Sequence, residues 1–331
     1  MSTAKVVITG VAGFIGFHCA KYLAQQGYDV LGIDNLNDYY DTDLKHARLK
    51  QLEAFKNIRF EKADVADYPT LENLFKTFEP DYVIHLAAQA GVRYSISHPL
   101  SYADSNLTGF VNILQACRTH QIKHLIYASS SSVYGANTKV PFAETDAVEQ
   151  PISLYAATKR ANELMAYTYN HLYNIPVTCL RFFSVYGPWG RPDMAYYKFT
   201  KAIMDGTPIE VYNNGEMERD FTYIDDVVAA IFKVMLLNPI EKDGKSAANR
   251  IFNVGNHHPV KLGLFIETLE NIIGKEAERI FLPMQQGDVL KTYADITALS
   301  NETGFVPATN IETGLRMFVQ WYRMWRLNSA S

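Results

Sequence analysis

Short apolar runs rich in Val and Ile recur along the chain at Val6 to Thr9, Val30 to Ile33, Ile58 to Phe60, Tyr82 to Leu86, Leu125 to Ala128 and Val177 to Arg181. Each is followed by a longer stretch of helical period. The runs do not alternate apolar with polar residues, which is the pattern of strands covered by helices on both faces. Successive strand and helix units of this kind predict an α/β fold built on a doubly wound parallel sheet. After about Pro188 the rhythm loosens into Pro188-Trp-Gly-Arg-Pro-Asp193, which predicts a crossover into a smaller C-terminal domain. Tyr223 to Leu237 is helical again and is expected to return to the first domain, so the boundary is not a single cut.

With 331 residues, 48% apolar and 20% charged, the chain has enough material for a large core. A formal charge of -4 leaves no basic excess to neutralise a phosphate backbone, which argues against nucleic acid as a partner and assigns any phosphate work to local cations. The start, MSTAKVVITG, runs straight into a strand-like segment without a signal-peptide pattern, and runs such as Val227 to Ile231 are too short to cross a bilayer. No membrane association and a cytoplasmic location are expected. The aromatic end, Leu315 to Arg326, mixes charges along its length, which favours a packed terminal helix over a membrane anchor. Cys19, Cys117 and Cys179 lack metal-ligand spacing and are expected to be reduced and buried. His85 and the His257-His258 pair show no ligand partner, so no metal is expected.

Candidate chemistry begins at Val6-Val-Ile-Thr-Gly10-Val-Ala-Gly13-Phe14-Ile15-Gly16. Three glycines at a strand-to-helix turn permit a tight bend and let backbone amides approach a pyrophosphate at a helix N-terminus. A tight turn alone also needs glycine, and the spacing GxxGxxG differs from GxGxxG, so context decides. Asp34 closes the second predicted strand, where a carboxylate accepts hydrogen bonds from ribose hydroxyls and repels a 2'-phosphate; this favours NAD over NADP. Asp64-Val65, after the third strand, is a candidate adenine neighbour or simply a strand-end turn.

Tyr155 and Lys159 are four residues apart in a helical segment and therefore share a face. A neighbouring ammonium favours a phenolate and is expected to lower the tyrosine's pKa, which makes Tyr155 a candidate acid/base. Alone, such a pair is ordinary helix surface. Upstream, however, a predicted buried strand ends in four consecutive hydroxyls, Ser129 to Ser132, an odd place for polar side chains unless something there is hydrogen-bonded.

Together, the glycine turn, the serine run, Tyr155 with Lys159, and Arg219-Asp-Phe-Thr-Tyr-Ile-Asp-Asp226 resemble the extended short-chain dehydrogenase/reductase family of nucleotide-sugar epimerases, dehydratases and decarboxylases, over nearly the whole chain. The resemblance implies a Rossmann-like NAD-binding domain over 1–187, rejoined by about 219–256, and a discontinuous UDP-sugar domain mainly over 188–331. It implies that Ser130 hydrogen-bonds the reacting oxygen, that Tyr155 is the acid/base, and that Lys159 contacts the nicotinamide ribose. It further implies retained NAD that takes a hydride from C4 and returns it to the other face of a transient 4-keto sugar, and a homodimer through the helices holding Tyr155 and the Asn106 region.

Within that family the chain is most similar to UDP-glucuronate 4-epimerases, through Asp34-Asn-Leu-Asn-Asp-Tyr-Tyr-Asp41, Ala90-Gly-Val-Arg-Tyr-Ser95, Arg181-Phe-Phe-Ser-Val-Tyr-Gly-Pro-Trp-Gly-Arg-Pro-Asp-Met194 and Gly287-Asp-Val289. The family's dehydratases carry an Asp-Glu pair after the catalytic hydroxyl; here Ser131 and Ser132 stand instead. A 4-keto uronate is a β-keto acid that sheds carbon dioxide unless its carboxylate is held still. Ser131, Ser132, Ser184 and Arg191 are the candidates for that clamp, with Arg93 as a further one, since hydroxyls and a guanidinium suit a carboxylate. Ser184 stands where many epimerases of neutral sugars carry Asn. Arg219 is the candidate diphosphate ligand, with an ion pair to a neighbouring Asp as its alternative, and Tyr212 is a candidate to stack on uracil. Relatives often place an arginine where this chain reads Met284-Gln-Gln286, which leaves the second phosphate contact open. A 4-epimerase of UDP-glucose or UDP-N-acetylhexosamines, a uronate decarboxylase, and a catalytically idle NAD-sensing protein are the alternatives; intact Ser130, Tyr155 and Lys159 oppose the last.

Overall fold

The computed structural model describes residues 3–240, 246–285 and 287–329. In its first half, β1 (Lys5–Thr9), α1 (Phe14–Gln25), β2 (Asp29–Asp34), α2 (Thr42–Leu52), β3 (Ile58–Lys62) and α3 (Tyr68–Phe78) alternate strictly. After β4 (Tyr82–His85) come two short helices, α4 (Tyr94–Ser97) and α5 (Pro99–Tyr102), a π-helical turn over Ala103–Thr108, and α6 (Gly109–Thr119). β5 (His124–Ser130), α7 (Leu154–Tyr173) and β6 (Val177–Phe182) follow. The second half comprises β7 (Ser184–Tyr186), α8 (Ala195–Asp205), β8 (Ile209–Tyr212), β9 (Glu218–Tyr223), α9 (Ile224–Met235), β10 (Asn249–Val254), β11 (Pro259–Lys261), α10 (Leu262–Ile273), β12 (Arg279–Leu282), α11 (Thr297–Thr303) and α12 (Ile311–Ser329).

Seven strands form one parallel sheet in the order β3-β2-β1-β4-β5-β6-β10. Side chains one residue apart go to opposite faces, so Val6 and Ile8 join Phe17, Leu23, Val227 and Ile231 on one side while Val7 joins Phe75, Phe110 and Ile113 on the other. Both faces are thus covered by helices, as the non-alternating runs predict. The strand order reverses at β1, with β2 on one side and β4 on the other, which opens a crevice at the strands' carboxyl ends. Beyond β6 the chain builds two small sheets, β11-β9-β7 and β12-β8, over that crevice, while β10 lies beside β6 and α9 packs against α1.

The long helix α7 is fixed at both ends and along its buried face. Ser153 caps it by accepting from the Ala156 amide at 3.1 Å, and Asn174 ends it in the left-handed region. Below Lys159 on the same face, Glu163 is buried and receives Arg181 of β6 through Nε at 2.9 Å and Nη2 at 2.8 Å. The Ser129 hydroxyl donates to the same carboxylate at 2.7 Å, and Arg181 also donates to Tyr134, whose hydroxyl donates to Asn253 of β10. Burial would raise the Glu163 pKa, but these bonds and charges hold it below the usual carboxylate value.

Arg181→Met would remove the buried two-bond partner of that carboxylate and leave it only the partly exposed Arg160, 3.1 Å from Oε2, at a cost of about 3 kcal/mol. The expected result is a lower denaturation midpoint, with part of the loss recovered in Glu163→Leu/Arg181→Met, where no charge stays buried. A single variant as stable as the parent would show that the pair does not secure α7.

Candidate active site

A cavity of about 1060 Å³ runs from the carboxyl ends of β1, β2 and β4, past the start of α7, to β8 and β9. That exceeds the usual range for one small ligand and suits two held end to end. At its first end Gly10 has φ +74°, and a Cβ there would lie 2.8 Å from the Ala87 nitrogen. A Cβ on Gly16 would lie 2.1 Å from the Gly10 carbonyl oxygen, so neither position admits a side chain. Gly13 opens α1 with no side-chain cap and no acidic residue in the first turn, which leaves the helix amides and dipole available to an anion. Phe14 and Ile15 line this end. Asp34 is fixed by the amides of Ala12 at 3.0 Å and Leu36 at 2.9 Å, and its carboxylate retains acceptor sites for ribose hydroxyls. These residues fit an NAD pyrophosphate and adenosine ribose. Val65 is buried and lines the cavity. Asp64, exposed between the lining residues Ala63 and Val65, accepts from Asn35 at 2.9 Å and from the Ala66 amide at 2.8 Å, a strand-end turn that leaves acceptor sites free.

At the middle of the cavity, Ser130 ends β5 and Tyr155 stands in the first turn of α7. Both hydroxyl residues line the cavity, and Ser130 Oγ accepts from the Ser132 amide at 3.2 Å and its hydroxyl at 3.0 Å. Lys159 donates to the Ala128 carbonyl at 2.9 Å. Burial raises the Tyr155 pKa, opposed by the Arg191 charge and the Ser130 bond. Lys159 is itself desolvated and held at about 8, and among the described residues it makes no ion pair; the Arg191 guanidinium is a further cation whose charge favours the phenolate.

Ser131 and Ser132, in the turn after β5, Ser184 at the start of β7, and Arg191 all line the cavity. Arg191 is gripped by Asp193 through Nε at 2.9 Å and Nη2 at 2.5 Å, and Asp193 also accepts from the Tyr39 hydroxyl at 3.1 Å. The fork uses one edge of the guanidinium, so the edge bearing Nη1 is open to a second acceptor. Arg93 belongs elsewhere: it pairs with Asp288 at 3.1 Å, lies over the Tyr212 ring at 5.2 Å, and raises the local positive potential at Arg219. It joins the far end of the cavity, not the serines. Arg219 donates to the carbonyls of Glu218 at 2.9 Å and Leu290 at 3.2 Å, and among the described residues it forms no ion pair. Its neighbour Asp220 is taken up instead by the amides of Asn256, His257 and Ala294, so the ion-pair alternative is not realised. Tyr212 lines the cavity with its hydroxyl on Glu210 at 2.5 Å. Of Met284-Gln-Gln286, Gln286 lies outside the described residues. His85 is buried against the Thr9 hydroxyl at 2.8 Å and His257 against the Ala294 carbonyl at 2.7 Å. Among the described residues, no three His, Cys, Asp or Glu side chains gather as metal ligands. Tyr39, Asp193 and Asp288 were not among the expected site residues; the close spacing of Asp193 to Arg191 in a Pro-flanked turn was the available signal.

Residues 6–255 match the profile described as "NAD dependent epimerase/dehydratase family". The chain belongs to this family. It is accordingly an enzyme of the extended short-chain dehydrogenase/reductase type with NAD as its cofactor, and the expected fold is the one observed. It is 47% identical to a probable UDP-glucuronate 4-epimerase of Rhizobium meliloti over 332 residues, covering 96% of each chain. The structure of a UDP-glucuronic acid 4-epimerase from Bacillus cereus in complex with UDP-glucuronic acid and NAD superposes with a TM-score of 0.89 at 31% identity, covering 97% of this chain and 99% of that one. A UDP-glucose 4-epimerase from Thermotoga maritima with UDP-glucose superposes with a TM-score of 0.88 at 30% identity, covering 97% of this chain and 99% of that one.

The displaced Lys159 pKa yields a stability test. Burial holds its folded value at about 8, below the ordinary lysine value of 10.5. Folding therefore carries a penalty of about 3 kcal/mol that is present in full below pH 8 and fades as pH rises through 10.5. Lys159→Met is expected to unfold at a higher temperature than the parent at pH 7, with the gain shrinking toward pH 10, and to lose activity. A gain that did not change with pH would assign the effect to packing.

Proposed function

We propose that this enzyme interconverts UDP-glucuronate and UDP-galacturonate at C4. The observation that carries the substrate assignment is Arg191: one cation acts on the Tyr155 phenol, lines the cavity beside Ser131, Ser132 and Ser184, and has a guanidinium edge left for a carboxylate. Similarity to the proteins from Rhizobium and Bacillus supports the same reading. The comparable match to the Thermotoga protein favours a neutral hexose equally on fold alone, so the argument rests on the cation and the hydroxyls.

Bound NAD supplies the hydride acceptor and donor for C4. Tyr155 takes the proton of the C4 hydroxyl and gives one back, and Ser130 steadies the same oxygen by hydrogen bonding. Lys159 holds the nicotinamide ribose. Ser131, Ser132, Ser184 and Arg191 hold the C6 carboxylate against rotation, and the absence of an Asp-Glu pair after Ser130 denies the site an acid/base at C5. Arg219, a desolvated cation that forms no ion pair among the described residues, grips the diphosphate, with Arg93 beside it; Tyr212 serves the uracil end. An exposed apolar stripe on α7, Leu164, Tyr167 and Leu172, with Val111 on α6, supports a homodimer through these helices. Three buried free cysteines accord with a reducing, cytoplasmic setting.

Purified protein incubated with UDP-glucuronate and no added NAD is expected to form UDP-galacturonate without UDP-pentose, resolved by chromatography and proton NMR. Conversion of UDP-glucose or UDP-N-acetylglucosamine in its place would keep the family and remove the carboxylate clamp. Tyr155→Phe is expected to lower kcat by about 10²-fold or more while substrate still binds; unchanged turnover would end the mechanism. Ser184→Asn is expected to lower kcat/KM for the uronate by about tenfold, and unaltered kinetics would remove Ser184 from the clamp.

A further inference from the structure

The loop that delivers Arg191 to the cavity is held in an unfavourable backbone conformation by side chains from the cofactor half of the molecule. Trp189 has φ +62°, a region that a bulky residue rarely occupies and that persists only where the surroundings enforce it. The enforcement comes through consecutive carbonyls. His18 of α1 donates to Pro188 at 2.9 Å; Arg48 of α2 donates to Trp189 through Nε at 3.1 Å and Nη2 at 2.6 Å, and to Gly190 at 3.4 Å. The remaining Arg48 donors go to the Ala12 carbonyl at 2.7 Å and the Tyr40 hydroxyl at 2.7 Å. The Tyr196 hydroxyl accepts from the Arg191 amide at 3.1 Å, and a Cβ on Gly190 would lie 2.0 Å from that hydroxyl. The Trp189 indole is packed against Phe17 and Trp321.

Arg48 is fully buried, and among the described residues it has no ion pair. A buried guanidinium without a counter-charge is a costly way to fill space, since an apolar side chain of similar volume avoids the desolvation. All five of its N–H donors are used, and every acceptor but Tyr40 is a backbone carbonyl. Its geometric task is thereby visible: it ties Ala12, inside the glycine turn, to the two residues that precede Arg191. Burial holds the His18 imidazole at about 4, so it is neutral and can donate through Nε2.

We propose that Arg48, assisted by His18, is a positioning residue for the carboxylate clamp, forcing the Trp189 turn so that Arg191 meets the substrate's C6 carboxylate. The inference rests on the reading of Arg191 as that clamp. Its chemical consequence is product purity. If the carboxylate of the 4-keto acid swings out of the ring plane, the C5–C6 bond breaks, its electron pair passes to the C4 carbonyl to give an enolate that is protonated at C5, and carbon dioxide leaves.

Arg48→Met, Arg191→Ala and the double variant should be assayed with UDP-glucuronate and excess NAD, which keeps the glycine turn filled. Arg48→Met is expected to raise the ratio of decarboxylated nucleotide sugar to UDP-galacturonate about tenfold and the KM for UDP-glucuronate by a similar factor. Inhibition by UDP, which has no carboxylate, should stay within about twofold, and the double variant should be no worse than Arg191→Ala alone. A parental product ratio, an additive double variant, or an equal weakening of UDP binding would overturn the proposal, the last by assigning Arg48 a merely structural role. If Arg48→Met does not fold, His18→Leu removes only the Pro188 bond and must shift the ratio in the same direction; a parental ratio there also overturns it. Parental protein inert toward UDP-glucuronate would sink the substrate reading and this inference together, whereas an active parent with unaffected variants sinks the inference alone.

Discussion

The Glu163–Arg181 pair sets the register between the catalytic helix and the sheet. Taking two charges out of water costs several kcal/mol for each, and only a closed set of partners makes their burial tolerable. Here the carboxylate is met by Arg181 and Ser129, and the guanidinium by Tyr134 as well. The geometry that satisfies these groups leaves little freedom in how α7 lies on β5 and β6. Ser129 immediately precedes Ser130, and Lys159 and Tyr155 lie one and two helical turns before Glu163. Fixing Glu163 against Ser129 therefore brings Lys159 to the Ala128 carbonyl and places Tyr155 and Ser130 on the cavity wall. The candidate reacting groups are aligned by a charge pair that does not itself line the cavity.

Around this axis the cations are divided by position along the cavity. Arg191 acts at Tyr155, while Arg219 and Arg93 gather with Asp288 at the other end. A chain with a formal charge of -4 thus presents two separate positive sites to a ligand that, on the proposed reading, carries a carboxylate at one end and a diphosphate further along. The anions Asp193 and Asp288 offset each site locally, which limits the cost of burying the arginines when no ligand is bound.

The doubly wound sheet was legible because strands buried on both faces have to be written as unbroken apolar runs, as in β1, β2, β4, β5 and β6; the edge strand β3 also falls where expected but is exposed from Arg59 to Lys62. The glycine turn was legible for a similar reason: at Gly10 and Gly16 no Cβ fits, so the residue type records the geometry directly. Tyr155 and Lys159 were legible from helical spacing and the nearby hydroxyls. What spacing does not record is the partner of a charge. Arg93 lies close to the serine turn in the notional site, but Asp288, nearly two hundred residues later, draws it to the far end. Asp64 takes the amide of Ala66 two residues on, a local turn that spacing alone does not separate from a ligand contact. Arg48 and Glu163 gave no signal at all, since a buried ion or guanidinium reads in sequence like any helix-surface charge.

The position of Arg191 joins specificity to reactivity. Burial alone pushes Tyr155 away from the phenolate, and the opposing charge resides on the same guanidinium proposed to hold the substrate carboxylate. Three negative demands thus converge on one cation: Asp193, the incipient phenolate and the C6 group. Asp193 takes the Nε edge through two bonds and cannot be displaced without leaving its own charge desolvated, so the remaining edge has a fixed direction. A neutral CH2OH at C6 would offer that edge a single uncharged acceptor, whereas a carboxylate offers two oxygens and the opposite charge. On the proposed reading, discrimination between the two follows from that difference in charge and hydrogen-bond strength, exerted beside the Tyr155 phenol.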